Sequence, residues 1–170
     1  SECMVTNLSS SSLSDAIISS LNSNLQRSPV GEINVIELMK KHDSPLGGEG
    51  NGGVIYKNSH LCRDSLIATT FIIDLLSQEN NPNLSDIVKT FPKFFMIKDK
   101  LILENVDPII SLKKIRSYFK EDLQITTDGV KIIFNNQWVH VRSSNTEPII
   151  RIIAESQSKS ETKKLIKLVK

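Results

Sequence analysis

The apolar positions divide the chain into two textures. In the first half, short apolar runs alternate with stretches that repeat every three to four residues. Residues 3–8, Cys-Met-Val-Thr-Asn-Leu, read as a buried strand. Leu13, Ala16, Ile17, Ile18 and Leu21 recur at helical spacing and predict a helix over 13–23, with serines 9–12 as loop and N-cap. Residues 26–31 read as a strand entering a turn, and 34–41 as a helix with Val35, Leu38 and Met39 on one face. Residues 54–56 are extended. A helix follows over 64–77, carrying Leu66, Ile67, Phe71, Ile72, Leu75 and Leu76. Asn80-Asn81-Pro82-Asn83 breaks it, and 84–89 forms a short helix. This alternation predicts a three-layer α/β domain over 1–95.

The second half alternates with period two. Residues 94–103 are extended, and 96–104 are expected to form a hinge between domains. Ile109, Leu112, Ile115 and Tyr118 or Phe119 predict a helix over 108–119. Val130, Ile132 and Phe134 share one face of a strand, Asn135-Asn136 turns, and 138–142 returns. Residues 149–155 form another strand, and a helix from about residue 160 carries Leu165, Ile166 and Val169. The expected unit over 105–170 is a small α+β domain with an antiparallel sheet.

Composition narrows the function classes. The 170 residues are 39% hydrophobic and 24% charged, enough for a buried core. A net charge of +2 and only 5% aromatics argue against a nucleic-acid binder. No apolar run is long enough to span a bilayer, and no secretory signal opens the sequence. Cys3 and Cys62 make neither a disulfide framework nor a metal set, so a reducing cytoplasm is the expected location. His42, His60 and His140 are not at ligand spacing, so no metal site is expected. His140 is expected on a sheet surface and Trp138 in the core. The chain opens directly on a core strand, which reads as a domain entered after its first segment.

Two loops carry candidate chemistry. Residues 47–53, Gly-Gly-Glu-Gly-Asn-Gly-Gly, hold five of the seven glycines. Glycine lets backbone approach a ligand closely. The carboxylate of Glu49 accepts hydrogen bonds from vicinal hydroxyls, and the Asn51 amide donates and accepts. That pairing suits a sugar and not a phosphate, and the lysine of a phosphate-binding P-loop is missing. The second loop is Arg142-Ser143-Ser144-Asn145-Thr146-Glu147-Pro148, bracketed by Arg151. Guanidinium groups beside small hydroxyls, an amide and backbone N–H groups suit a dianionic phosphate.

These two segments together resemble the α-D-phosphohexomutases, the family of phosphoglucomutase, phosphomannomutase and phosphoglucosamine mutase. Arg27-Ser28-Pro29-Val30-Gly31, Arg63-Asp64-Ser65-Leu66 and Thr127-Asp128-Gly129-Val130-Lys131 add to the resemblance, in the family's order, across nearly the whole chain. It implies most of the family's third domain, lacking its opening segment, followed by its fourth, which has a TATA-box-binding-protein-like fold. It implies that Glu49 accepts sugar hydroxyls, with Gly50 and Asn51 beside it. It implies that Arg142, Ser143, Ser144, Asn145 and Thr146 hold the phosphate not being transferred, with Arg151 a weaker member that braces the loop. The family interconverts hexose 1-phosphates and hexose 6-phosphates through a hexose 1,6-bisphosphate. A phosphoserine and a Mg2+ ion, held by domains one and two, perform the transfer.

The sequence also departs from the family pattern. Glu32 and Gly53 stand where many members have histidine, and Asn51 where many have serine. No segment resembles the phosphoserine or magnesium motifs. The expected protein is therefore a substrate-binding part of a mutase, inactive by itself and partnered by the missing N-terminal domains. It has no catalytic or metal residue of its own. The alternative is a stand-alone, non-catalytic phosphosugar-binding module. Neither the preferred hexose nor the oligomeric state follows from the sequence.

Overall fold

The computed structural model describes residues 2–78, 83–103, 107–144 and 147–170. The chain divides into two compact units, 1–93 and 94–170.

The first unit runs β1 (Cys3–Asn7), α1 (Leu13–Ser20), β2 (Asn24–Ser28), α2 (Glu32–Lys41), β3 (Leu46–Glu49), β4 (Gly53–Tyr56), α3 (Ser65–Leu76) and α4 (Leu84–Thr90). Its sheet has the order β2-β1-β3-β4. β1 pairs in parallel with β2 and β3, while β4 returns antiparallel to β3. The crossovers β1–α1–β2 and β2–α2–β3 run in opposite directions, so right-handed connection puts their helices on opposite faces. α2 buries Val35, Ile36 and Met39 against Val5 and Ile55. On the other face Met4, Leu46 and Val54, with Leu13, Ile17 and Leu21 of α1, line an apolar groove of about 510 Å³. α3 joins that side at its edge, where Phe71 meets Tyr56 edge-to-face at 5.3 Å.

α3 has the predicted length, and the Asp64 side chain caps it by accepting from the N–H groups of Leu66 and Ile67. None of its residues is buried, however, and Leu66 is 77% exposed. Its apolar character therefore exceeds what this unit covers.

The second unit runs β5 (Phe95–Ile102), α5 (Pro108–Tyr118), β6 (Leu123–Ile125), β7 (Val130–Phe134), β8 (Gln137–Ser143), β9 (Ile149–Ser156) and α6 (Lys159–Val169). The sheet is antiparallel throughout, in the order β5-β9-β8-β7-β6. One face buries Val130, Ile132, Val139, Val141, Ile150, Ile152 and Ala154 beneath Leu165, Ile166 and Val169 of α6. The Ser158 hydroxyl accepts from the N–H of Glu161 and starts that helix, a cap worth about 1 kcal/mol.

Two sequence expectations change here. Residues 96–102 of the segment expected as a hinge lie in strand β5, which pairs with β9 over all eight of its residues and so belongs to the second sheet. Its alternating side chains look extended in sequence, but the partner strand lies about fifty residues away and leaves no local signal. The glycine cluster, expected as a loop, is the β3–β4 hairpin, with Glu49 opposite Gly53. Glycines hide the period-two pattern because they carry no side chain to alternate.

Candidate functional site

Parallel sheets bind ligands beyond the carboxyl ends of their strands, where neighbouring connections diverge. In the first unit that point lies between β1 and β3. The chain leaves β1 toward β2, and leaves β3 toward β4 on the other side. Asn7 ends β1 and Glu49 ends β3.

Glu49 is held from both sides. Its Oε1 accepts from Asn7 Nδ2 at 2.8 Å and from the Gly31 N–H at 3.0 Å. Gly31 is the N-cap of α2, where helix N–H groups favour an anion. Oε2 has no hydrogen-bond partner among the described residues. Asn7 is buried, and its Oδ1 accepts from Ser9 N at 2.9 Å and from Ser10 Oγ at 3.1 Å. Ser10 Oγ also accepts from the Gly50 N–H at 3.1 Å and lies 2.6 Å from Thr6 Oγ1. Arg27 clamps the segment between β1 and α1. It donates to the carbonyls of Asn7, Ser10 and Ser11 at 2.9, 2.9 and 3.1 Å, and to Asp15 at 2.6 Å.

Gly50 and Asn51 form the hairpin tip. Asn51 is exposed, and its Oδ1 accepts from the Gly53 N–H at 3.3 Å. Glu32, at the first position of α2, accepts from both the backbone N–H and Nε of Arg63, each at 2.8 Å. Those bonds hold its carboxyl below the usual carboxylate range. The Arg63 stem crosses Gly53, where an added Cβ would stand 2.2 Å from Arg63 Cδ. Glu32 and Gly53 thus meet on one arginine. Lys57, beside the same hairpin, pairs with Asp43.

The sequence singles out Glu49, Gly50 and Asn51 but not Asn7, Ser10 or the Gly31 N–H, which the structure places against them. The available signal was positional. A polar Asn7 closing an apolar strand has no reason to be buried unless it meets a partner.

The second candidate site lies in the other unit. Arg142 on β8 faces Arg151 on β9 as a direct cross-strand pair, so their side chains share one face. Like charges so placed repel, and each has its own carboxylate. Asp128 Oδ1 accepts from Arg142 Nε at 3.1 Å, and Glu147 Oε2 from Arg151 Nη2 at 2.6 Å. Arg142 is largely buried and Arg151 is exposed. Asp128 stands in the turn between β6 and β7. At the next residue, Gly129, φ is 68° and an added Cβ would lie 2.2 Å from the Val141 carbonyl. Only glycine lets this turn lie against β8 and bring Asp128 to Arg142.

Ser143 ends β8. The Ser144 N–H donates to the Ile149 carbonyl at 3.0 Å, and Ser144 Oγ lies 3.5 Å from Arg151 Nη2. Arg151 therefore contacts Ser144 and Glu147. Asn145 and Thr146 lie outside the described residues. On the same sheet face, Trp138 Nε1 donates to Glu155 Oε1 at 3.1 Å, and Lys131 Nζ sits 4.0 Å from the Trp138 ring centre. His140, expected on a sheet surface, is fully buried, with Nε2 2.6 Å from the Asp128 carbonyl. Burial holds its pKa below the usual histidine value, against the opposing pull of that carbonyl. Among the described residues no group of three or more His, Cys, Asp or Glu side chains stands together, so none is assigned to a metal ion. No helix among them is long and apolar enough to cross a membrane.

Comparison with known proteins places both units. Residues 1–94 match the family model for phosphoglucomutase/phosphomannomutase, alpha/beta/alpha domain III. Residues 99–169 match the model for phosphoglucomutase/phosphomannomutase, C-terminal domain. The chain is 34% identical to a phosphoglucomutase/phosphomannomutase of Thermococcus kodakarensis, over 97% of this chain and 36% of that protein. It is 32% identical to a phosphoglucosamine/phosphogalactosamine mutase of Sulfurisphaera tokodaii, over 98% of this chain and 37% of that one. In fold it is similar to a phosphoglucomutase/phosphomannomutase family protein of Burkholderia thailandensis. There the TM-score is 0.80 at 20% identity, covering 98% of this chain and 36% of the other. The chain thus spans little more than a third of the length of the relatives it matches.

Proposed function

Because the chain belongs to the phosphoglucomutase/phosphomannomutase family, we propose that it is the substrate-binding part of a phosphohexomutase. Such an enzyme interconverts hexose 1-phosphate and hexose 6-phosphate through a bisphosphorylated sugar. Glu49 accepts hydrogen bonds from sugar hydroxyls, with Gly50 and Asn51 at the hairpin tip beside it. Arg142, Ser143, Ser144, Asn145 and Thr146 hold the phosphate that stays in place, and Arg151 braces their loop.

The observation that carries the reading is the Glu49 carboxylate. One of its oxygens takes two hydrogen bonds, and the other takes none among the described residues. A half-engaged acceptor at the carboxyl ends of β1 and β3 is oriented before ligand arrives, so a hydroxyl pays little ordering cost on binding. The paired arginines support the second half of the reading. A phosphate dianion relieves the repulsion between Arg142 and Arg151 that Asp128 and Glu147 offset in its absence.

Transfer itself requires a nucleophile and charge neutralisation at the moving phosphoryl group. In this reading the phosphoserine and Mg2+ belong to partner domains of the kind that make up the rest of the longer relatives, and hexose 1,6-bisphosphate is the intermediate. The residues of this chain bind, orient and hold charge. The test is a coupled mutase assay on the purified chain, run beside calorimetry with glucosamine 6-phosphate. Binding without turnover is expected. Turnover by the chain alone contradicts the division of labour, and absence of binding contradicts the substrate sites.

A further inference from the structure

We propose that Asn7 is a positioning residue for sugar recognition: its side-chain amide locks the Glu49 carboxylate so that Oε2 is the oxygen presented to hydroxyls. The proposal rests on the sugar-site reading of Glu49 and deepens it. Asn7 is 4% exposed, and a buried primary amide is retained only where both ends are satisfied. The two ends do different work. Oδ1 accepts from Ser9 N and Ser10 Oγ and holds the segment between β1 and α1. Nδ2 donates to Glu49 Oε1 at 2.8 Å, across the gap between the ends of β1 and β3. The Gly31 N–H reaches the same oxygen from the start of α2 at 3.0 Å. Two donors on one oxygen fix both the position and the roll of the carboxylate. Ser10 then ties the next residue, Gly50, to the same segment through its N–H at 3.1 Å. The start of the hairpin tip is thus fastened at two consecutive residues, Glu49 to the end of β1 and Gly50 to the segment that follows it.

Asn7→Asp separates the two ends. It keeps the acceptor that holds Ser9 and Ser10, and replaces the donor facing Glu49 with a carboxylate oxygen. At pH 8 two carboxylates then repel, and affinity for glucosamine 6-phosphate falls about tenfold relative to the unmodified chain. As the pH falls the two carboxyls share one proton, a donor returns between them, and the ratio of variant to unmodified affinity recovers. A merely structural role gives a loss independent of pH. Inorganic phosphate affinity stays unchanged in either case. In the unmodified chain, the Asn7 side-chain amide resonance is expected to shift with glucosamine 6-phosphate and to stay in place with inorganic phosphate. That measurement decides the matter if the variant does not fold, and an amide resonance that stays in place with the sugar overturns the proposal. Glu49→Ala separates the two readings. If it loses sugar-dependent affinity while Asn7→Asp retains full affinity, the positioning role is wrong and the sugar site stands. If Glu49→Ala binds as well as the unmodified chain, the sugar-site reading fails and this proposal with it.

Discussion

Asp128 Oδ1 accepts from Arg142 Nε at 3.1 Å, and both side chains are more than four-fifths buried. The turn between edge strand β6 and its neighbour β7 thereby fixes a guanidinium on β8. The bond occupies Nε, and among the described residues the two terminal nitrogens of the fork make no hydrogen bond. Asp128→Asn keeps the shape and loses the charge. It is expected to weaken inorganic phosphate binding several-fold and to lower unfolding free energy by about 2 kcal/mol. Calorimetric titration with phosphate and urea denaturation check both. Unchanged phosphate affinity in a folded variant removes Asp128 from the site.

Arg142→Lys preserves the charge but not the planar fork. Phosphate affinity is expected to fall about tenfold, because an ammonium cannot reproduce two parallel N–H donors. Arg151→Lys is expected to cost less, since Arg151 is exposed and already occupied with Glu147. Equal losses in the two variants count against the different roles assigned to the two arginines.

His140 makes stability depend on pH. Burial is the largest influence on it and lowers its pKa below the usual value of about 6.5. The unfolded chain therefore takes up this proton at higher pH than the folded chain does. The contribution is full above about pH 6.5 and is lost as the pH falls from there through the folded value. The urea midpoint is expected to decline between pH 7 and pH 5, and to decline less in His140→Gln. Parallel profiles for the two proteins contradict the assignment.

Arg27 makes three bonds to carbonyls and one to Asp15 from a single guanidinium. Arg27→Ala leaves the carbonyls of Asn7, Ser10 and Ser11 without that donor, and is expected to destabilise the first unit by about 2 to 3 kcal/mol. Hydrogen exchange at 7–15 is expected to speed up while exchange in β7 to β9 stays unchanged. Uniform acceleration across the chain contradicts a local clamp.

Much of the architecture is legible in the pattern of apolar residues. β1, α2, β7, β8, β9 and α6 stand out because each buries one face against a core, and burial imposes the period. β6, three residues at a sheet edge, buries too little to leave a pattern. β3 is hidden for a different reason: two of its four residues are glycine, whereas its partner β4 shows as the extended residues 54–56. The candidate site is legible where chemistry is concentrated in one stretch, as at Gly47–Gly53 and Arg142–Ser144. It is not legible where one group is placed by another far along the chain. Asn7 and Glu49 are 42 residues apart, and Asp128 and Arg142 are 14 apart. Neither pairing has a period or a spacing of its own; each exists only because strand order brings the ends together.

In the proposed function, sugar and phosphate are recognised by different units of the chain. An amide titration by NMR with glucosamine 6-phosphate, mannose 6-phosphate and inorganic phosphate in parallel tests it most directly. Shifts are expected at Arg142, Ser143 and Ser144 with all three ligands. Shifts at Glu49, Gly50 and the Asn7 side chain are expected with the two sugars only. Silence at Arg142–Ser144 in a folded sample, or shifts at Glu49 with inorganic phosphate alone, would contradict it.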